Sequence, residues 1–178
     1  MERTFVMLKP DAVQRGLVGE VLHRFERAGL KIVALKMLKP EKKLVSKHYP
    51  NSREYLETLG SKTKADYVKY GLDLKKEFGT TDSFEIGKKI KEWLVNFICS
   101  DNVIAMVLEG NHAVSIVRKL VGSTMPSDAQ PGTIRGDYSI ESADLANLEK
   151  RPVKNLIHAS GNIEEASFEI KLWFPDLK

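Results

Sequence analysis

A histidine flanked by small polar residues is the strongest chemical signal in the sequence. The hexapeptide Asn155-Leu156-Ile157-His158-Ala159-Ser160 comes directly before a predicted helix. A neutral imidazole has a free nitrogen lone pair, so His158 could act as a nucleophile near neutral pH. A lone histidine beside apolar residues is more often structural. The nucleophile hypothesis therefore depends on residues elsewhere in the chain.

Four cationic side chains lie where they could bind phosphate groups: Lys9, Arg15, Arg118 and Arg135. Lys9 ends a predicted strand, Arg118 lies near the end of a predicted helix, and Arg135 lies in a polar, glycine-rich segment at 131–137. The chain has no Gly-x-x-x-x-Gly-Lys-Ser/Thr loop, so a phosphate site would have to use side chains. Each cation taken alone is typical of an ordinary protein surface.

Size and composition favour one soluble domain. The chain has 178 residues, of which 42% are hydrophobic and 29% are charged. This length supports one compact core, and we expect a single domain over 1–178. No apolar run approaches the ~20 residues that a membrane helix needs. The first residues lack the pattern of a signal peptide, so we expect no membrane association and a cytoplasmic location.

Charge and cysteine content narrow the classes of partner and site. Cys99 is the single cysteine, which excludes an intrachain disulfide and a cysteine-rich metal site. The net charge of +4 and the pI of about 9.0 suit an anionic partner such as a nucleotide or a nucleic acid. No block of five or six like charges is present, as a basic tail would require.

Hydrophobic periodicity predicts strands alternating with helices. Strands are predicted at 4–9, 31–38 and 103–108, with a short fourth strand before the last helix. Gly16 and Gly19 indicate a turn, Asn111 is a predicted helix cap, and 122–137 is a predicted structured loop. Helices are predicted at about 18–28, 41–49, 62–78, 86–98, 112–120 and 163–173. This order predicts an α/β (α+β sandwich) fold, a ferredoxin-like split β-α-β antiparallel sheet covered by helices.

Four separated blocks give the chain a family resemblance. It resembles a nucleoside diphosphate kinase in RTFVMLKPDAVQRGLVG at 3–19, VIAMVLEG at 103–110, PGTIRGD at 131–137 and NLIHAS at 155–160. All four occur in the order of the family. The resemblance implies a ping-pong phosphotransferase in which a nucleoside triphosphate phosphorylates His158 and a nucleoside diphosphate then accepts the group.

The resemblance also implies roles for other residues. Glu169 would orient the histidine ring, and the catalytic set would be His158, Glu169, Lys9 and Tyr49. The nucleotide-binding set would be Lys9, Arg118, Thr124, Arg135, Asn155 and Lys88. A magnesium ion would be held mainly by the nucleotide phosphates, so no protein metal ligand is assigned. The remaining histidines, His23, His48 and His112, are interpreted as structural because no pair shows metal-ligand spacing.

The partners implied are ATP and other nucleoside tri- and diphosphates. Base discrimination is expected to be weak, because the contacts that can be assigned fall on phosphates and sugar. A homo-oligomer is implied, a hexamer first and a tetramer or dimer next, with Pro126 and the sheet edge as assembly surfaces.

Two insertions depart from the family pattern. The first covers about 50–88 and the second about 142–151, where a short helix is predicted. The short family motif after Tyr49, with its basic residue and base-stacking phenylalanine, is missing. Alignment backwards from Leu94 puts Lys88 and Ile90 in those two places, and alignment forwards from Tyr49 puts Arg53 and Tyr55 there. The sequence leaves both alignments open.

Two other functions remain compatible with the sequence. A nucleic-acid-binding protein on the same scaffold would explain the basic pI, but it has no need of the histidine and cation set. An inactive nucleotide-binding member of the family would bind ADP without forming phosphohistidine.

Overall fold

The computed structural model describes residues 1–177. Four strands are present in that range: β1 Glu2–Leu8, β2 Lys31–Leu38, β3 Val103–Gly110 and β4 Ile157–Ala159. The α-helices of the same range are α1 Pro10–Gln14, α2 Val18–Arg27, α3 Lys42–His48, α4 Arg53–Lys69, α5 Leu74–Phe78, α6 Ser83–Ile98, α7 Ala113–Val121, α8 Ile134–Tyr138, α9 Ala143–Leu148 and α10 Ile163–Trp173. A 3₁₀ helix covers Pro126–Asp128.

The four strands form one antiparallel sheet in the order β2-β3-β1-β4. This order confirms the predicted ferredoxin-like arrangement. β1 is central and pairs with β3 on one side and with β4 on the other. The short strand β4 is therefore fixed beside the end of β1. Among residues 1–177, no helix combines the length and the apolarity that crossing a membrane requires.

Helices cover both faces of the sheet. Successive side chains of a strand point to opposite faces, and β1 is buried on both. Val6 and Leu8 pack in one cluster with Phe25 of α2. Phe5 and Met7 pack in a second cluster with Trp173 of α10. The sheet thus lies between two helical layers, and β1 has little freedom to move.

The helix predicted at 62–78 is wrong in its bounds and in its buried face. Ser52 caps α4, since its side chain accepts a hydrogen bond from the backbone N–H of Tyr55. The helix ends before Gly71, whose φ of +65° favours glycine. Val68, which apolar periodicity over 62–78 predicts to be buried, is 83% exposed. The buried residues of α4 are Leu56, Gly60, Thr63 and Tyr67.

Three smaller expectations are also corrected. Gly19 lies inside α2, and the turn before that helix is made at Gly16, whose φ is +70°. Asn111 does not cap α7, because the capping position is His112 in a left-handed conformation. The segment 122–137 is less irregular than predicted, since it contains the 3₁₀ helix and the start of α8.

The two insertions pack against the fold and against each other. α4 and α6 cross closely, and Tyr67, Phe78 and Ile86 form a separate apolar cluster there. The short helix predicted in the second insertion is α9, which contacts α4. Glu77 and Lys150 form an ion pair of 2.9 Å between the insertions.

Candidate active site

His158 lies on β4 with its ring held by a buried carboxylate. In the register of the sheet it is opposite Met7 of β1. Its Nε2 lies 2.7 Å from Oε1 of Glu169, and the Ser160 hydroxyl donates to Oε2 of Glu169 at 2.6 Å. An ionised carboxylate only accepts hydrogen bonds, so this contact assigns the ring hydrogen to Nε2. Nδ1 then keeps its lone pair.

The start of α10 explains why Glu169 reaches the histidine. Asn162 caps the helix by accepting a hydrogen bond from the backbone N–H of Glu165 at 2.8 Å, as the sequence predicts. Glu169 follows about one helical turn later on the buried face, and it is 2% exposed. Burial raises the pKa of Glu169, while His48 and the hydrogen bond from Ser160 oppose that rise.

Burial also keeps the nucleophile neutral. It lowers the pKa of His158 below the ordinary value for histidine, and the ammonium of Lys9 lowers it further. A neutral ring is the form that has a lone pair to donate. The environment of His158 therefore favours the nucleophilic state at physiological pH.

Lys9 and Asn155 form a hydrogen-bonded pair next to the histidine. The Lys9 ammonium donates to Oδ1 of Asn155 at 2.6 Å, and the Asn155 amide donates to the carbonyl of Thr124 at 2.9 Å. Burial lowers the pKa of Lys9 to about 8, and Arg135 contributes to the same shift. The Lys9 ammonium thus lies in a buried, positively charged environment that favours an anionic ligand.

The two arginines of the site differ in what they already bind. Arg135 is buried and donates to backbone carbonyls of Gly122, Ser123, Asn155 and Ile157. Burial, followed by the charge of Arg118, lowers the pKa of Arg135 to about 10. Arg118 is exposed, and its side chain makes no hydrogen bond or ion pair within residues 1–177. Arg135 therefore holds the loops together, and Arg118 is the more available cation.

The backbone before His158 is strained and held in place. Leu156 has a φ of +68°, a conformation that is an outlier for a bulky residue. The backbone N–H of Leu156 donates a hydrogen bond of 2.9 Å to a carboxylate oxygen of Asp11. The backbone carbonyl of Leu156 accepts one of 2.8 Å from the N–H of Lys9. Asp11 lies in the sequence block at 3–19, but no role was predicted for it. It secures the loop that presents the nucleophile.

One cavity of about 320 Å³ unites the predicted site. It is lined by Lys9, Tyr49, Arg118, Thr124, Arg135, Asn155 and His158. Lys88 is a correction: it pairs with Glu85 at 2.9 Å on an exposed face and does not line this cavity. Ile90 does line the cavity, whereas Arg53 and Tyr55 do not. Trp93, an aromatic residue that the sequence did not single out, lines it as well.

His48 was interpreted as structural, and the structure places it directly against the nucleophile. The rings of His48 and His158 are perpendicular, with centroids 4.5 Å apart. His48 Nδ1 accepts from the indole N–H of Trp173 at 3.3 Å and lies 3.4 Å from Glu169. Burial lowers the pKa of His48 to about 3, and His158 adds to that shift.

Three side chains with potential ligand atoms meet at this point of the structure. The ligand atoms of His48, His158 and Glu169 all lie within 4.8 Å of one another. This proximity arises from β4, α3 and α10 meeting in space, so spacing along the sequence could not show it.

Comparison with known proteins agrees with this geometry. A sequence model of the nucleoside diphosphate kinase family matches residues 2–60 and 83–178. A nucleoside diphosphate kinase of Pyrobaculum aerophilum is 53% identical over 174 residues, which cover 98% of this chain and 95% of that protein. The chain belongs to the nucleoside diphosphate kinase family. The similarity over the full chain shows nucleoside diphosphate kinase function, a phosphotransferase activity.

Solved structures of the family have the same fold. The crystal structure of a P. aerophilum NDP kinase superimposes with a TM-score of 0.96 at 52% identity, covering 98% of this chain and 96% of that one. A Borrelia burgdorferi nucleoside-diphosphate kinase, solved as a transition-state mimic with vanadate and ADP bound, gives a TM-score of 0.76 at 38% identity. That alignment covers 98% of this chain and 88% of the other. The family model leaves residues 61–82 unmatched, within the first insertion.

Proposed function

We propose that this nucleoside diphosphate kinase works by a ping-pong mechanism with His158 as the phosphate carrier. The observation that carries the proposal is the 2.7 Å contact between Nε2 of His158 and Glu169. It assigns the lone pair to Nδ1 of a residue that lines a cationic cavity. The B. burgdorferi relative, which binds ADP and vanadate, supports the same use of the cavity.

The two half-reactions follow from that tautomer. Nδ1 attacks the γ-phosphorus of a nucleoside triphosphate, and the bond to the bridging oxygen breaks with its electron pair leaving on the diphosphate. The ring gains positive charge, which Glu169 stabilises through the hydrogen on Nε2. A terminal phosphate oxygen of the acceptor diphosphate then attacks the phosphorus. The P–N bond breaks and returns its electron pair to Nδ1.

The cations position the phosphate chain and neutralise its charge. Phosphoryl transfer needs mainly positioning and charge stabilisation from a protein. Lys9 and Arg118 line the cavity close enough to His158 to act on its charge, and both have donors available for phosphate oxygens. Thr124 adds a hydroxyl, Asn155 an amide for the sugar, and Tyr49 a hydroxyl beside the histidine. Arg135 contributes its charge while its donors fix the loops.

Magnesium fits this site as an ion carried by the nucleotide. The lining of the cavity offers ammonium, guanidinium, hydroxyl and amide groups, and Asp66 is the single acidic residue among the described residues that line it. Magnesium binds oxygen ligands and keeps several waters, and it often binds through substrate phosphates. Bound in this way, it would neutralise charge on the phosphate chain. We assign it no protein ligand.

Labelled phosphate tests the carrier directly. The protein is incubated with ATP labelled on the γ-phosphate, and acid-labile phosphoprotein is measured before and after addition of CDP. We expect label on the parent, its transfer to CTP, and no label on His158→Ala. His23→Ala, an exposed histidine on α2, is the matched control and should behave like the parent. A parent that binds ADP and acquires no label would contradict the mechanism and favour the inactive alternative.

We further propose that the protein assembles into a homo-oligomer. The edge strand β2 exposes Leu35 and Met37, which are 43% and 55% exposed in the single chain. Apolar side chains on an open sheet edge favour pairing with another chain. Pro126, the other assembly surface that the sequence suggested, is buried within the chain. A hexamer remains the first expectation, and a cytoplasmic location also stays a prediction.

A further inference from the structure

Lys91 is a buried lysine to which the mechanism assigns no role. It lies on α6 and is 8% exposed. Lysine is almost never buried to this extent without partners. Burial lowers its pKa, and no carboxylate of residues 1–177 forms an ion pair with it. Its ammonium must therefore be satisfied by neutral acceptors.

Three oxygen atoms of one short connection accept hydrogen bonds from Lys91. The backbone carbonyl oxygens of Ser46 and Pro50 each lie 3.3 Å from Nζ of Lys91. Oδ1 of Asn51 is the third acceptor. An ammonium group has three donors, so these contacts use all of them. Every acceptor belongs to 46–51, which is the end of α3 and the segment after it.

The sequence explains why this connection needs a donor from another element. In a continuing α-helix the carbonyl of Ser46 would accept from the N–H of residue 50, and proline has none. Pro50 also disfavours helical backbone at Tyr49, whose φ and ψ are −96° and 109°. A lysine at the C-terminal end of a helix can bond the last carbonyls and interacts favourably with the helix dipole. Lys91 therefore caps α3 from α6.

The capped connection carries two residues next to the nucleophile. His48 packs perpendicular to His158, with ring centroids 4.5 Å apart, and Tyr49 lines the cavity. The rings of His48 and Tyr49 also pack on each other, with centroids 4.8 Å apart. Val95, one helical turn after Lys91, belongs to the same apolar cluster as Tyr49. α6 thus holds this segment both by apolar packing and by the hydrogen bonds of Lys91.

We propose that Lys91 is a positioning residue for phosphoryl transfer, which holds the ring of His48 against His158 by capping α3. The proposal rests on the proposed function, since it needs His158 to carry the phosphate. Lys91 does not line the cavity, so it acts through the segment that it caps. A displacement of about 1 Å caused far from the reacting atoms can cost about a hundredfold in rate. A fixed end of α3 therefore matters for the chemical step.

Substitutions at Lys91 in the full-length protein test the proposal. Lys91→Met keeps the length of the side chain and removes its donors. We expect the single-turnover rate of His158 phosphorylation by γ-labelled ATP to fall about tenfold, with KM for ATP within about twofold of the parent. Lys91→Arg keeps the charge and the donors, and it should lose no more than about threefold in the same rate.

Lys89→Met is the matched control. Lys89 lies on the same helix and donates to the backbone carbonyl of Phe78 at 2.8 Å, and neither residue lines the cavity. The control therefore loses a hydrogen bond of the same kind away from the active site. It should lower the urea midpoint of unfolding and keep the parent rate of phosphorylation. A purely stabilising role of Lys91 would make the two variants behave alike.

A double variant tests the route of the effect. If Lys91 acts through His48, the losses from Lys91→Met and His48→Asn should not multiply. The double variant should be no more than about threefold slower than His48→Asn alone. Asn51→Ala removes one acceptor from an exposed residue, and it provides an independent test should Lys91→Met fold poorly. It should slow phosphorylation about two- to threefold at constant KM.

The outcomes separate this proposal from the function beneath it. A Lys91→Met variant that loses stability and keeps the parent rate overturns the positioning role and leaves the phosphohistidine mechanism intact. An equally slow Lys89→Met overturns it too, and so do losses that multiply fully with His48→Asn. Failure of the parent to form any phosphoprotein contradicts the proposed function itself.

Discussion

His48 lies behind the nucleophile and does not line the cavity. Its ring packs perpendicular to that of His158, and its Nδ1 accepts a hydrogen bond from the indole N–H of Trp173. Packing and hydrogen bonding can be separated by substitution. His48→Phe keeps a ring against His158 and loses the acceptor, while His48→Asn keeps an acceptor near the place of Nδ1 and loses the ring.

We expect the two substitutions at His48 to affect different quantities. His48→Phe should lower the free energy of unfolding by about 1–3 kcal/mol, because a buried N–H loses its acceptor. Its kcat should stay within a few-fold of the parent. His48→Asn should lower kcat about tenfold at constant KM, because the ring of His158 is less constrained. Urea unfolding and steady-state kinetics measure both effects. If His48→Phe lowered kcat and His48→Asn did not, the hydrogen bond of His48, and not its ring packing, would hold the ring of His158 in place.

The lowered pKa of Lys9 predicts that kcat/KM falls at alkaline pH. Its pKa in the free protein is lowered to about 8, so its charge is present below that pH and is lost above it. Because the ammonium attracts phosphate, kcat/KM should fall as pH rises through about 8. In Lys9→Arg the guanidinium keeps its charge, so this limb should move to higher pH even though the maximal rate drops.

A pH profile of kcat/KM measures the alkaline limb. Lys88→Arg is the control, since Lys88 lies outside the cavity. A limb near pH 8 that persists unchanged in Lys9→Arg would show that another group titrates there.

Sequence motifs located the residues that touch the substrate better than those that support them. His158, Glu169, Lys9 and the two arginines belong to blocks with recognisable spacing. Asp11 and His48 act through contacts with residues more than a hundred positions away, which no local pattern shows. The position of His48 directly before Tyr49 was the one signal that could have pointed to the site.

At the scale of elements, two glycines determine how the first insertion packs. A Cβ added to Gly60 of α4 would lie 1.8 Å from the backbone oxygen of Ser83, and one added to Gly87 of α6 would lie 1.9 Å from that of Leu56. Both clashes are with backbone. The two helices can therefore approach this closely only because glycine is present on both.

Replacing either glycine should separate the helices. We expect Gly60→Ala and Gly87→Ala each to lower the free energy of unfolding by about 1–3 kcal/mol or more, the usual cost of overpacking. Gly19→Ala is the matched control, since it lies in α2 with no heavy atom within 4 Å of the added Cβ. It should raise stability by about 0.5–1 kcal/mol through helix propensity. Equal effects from all three in urea unfolding would contradict the close crossing.

Apolar periodicity explains which elements could be predicted from the sequence. β2 has the predicted bounds of 31–38, and the strand order follows the predicted topology, because alternating apolar residues line the central sheet. α4 was misplaced because its buried face includes Gly60 and Thr63, which no search for apolar periodicity detects. The docking of α9 on α4 depends on that face and was equally invisible in the sequence.

At the scale of the molecule, the exposed edge of β2 predicts assembly. Leu35→Lys combined with Met37→Lys should shift the protein to smaller species in size-exclusion chromatography with light scattering, because charged residues on an edge oppose strand pairing. Ile140→Lys is the control, as it is 94% exposed and lies outside the sheet. An unchanged mass for the double variant would place the interface elsewhere.

The cluster of positive charge around the cavity has a consequence for how fast nucleotides arrive. The net charge of the chain is only +4, yet Lys9, Arg118 and Arg135 line one cavity, in which Asp66 is the single acidic residue among the described lining residues. A local field of this kind attracts an anion before contact, and it is screened beyond a Debye length of about 8 Å at physiological ionic strength. Added salt should therefore slow the encounter and lower kcat/KM, while kcat at saturation stays nearly constant. Arg118→Gln should make that salt dependence shallower in stopped-flow measurements of association.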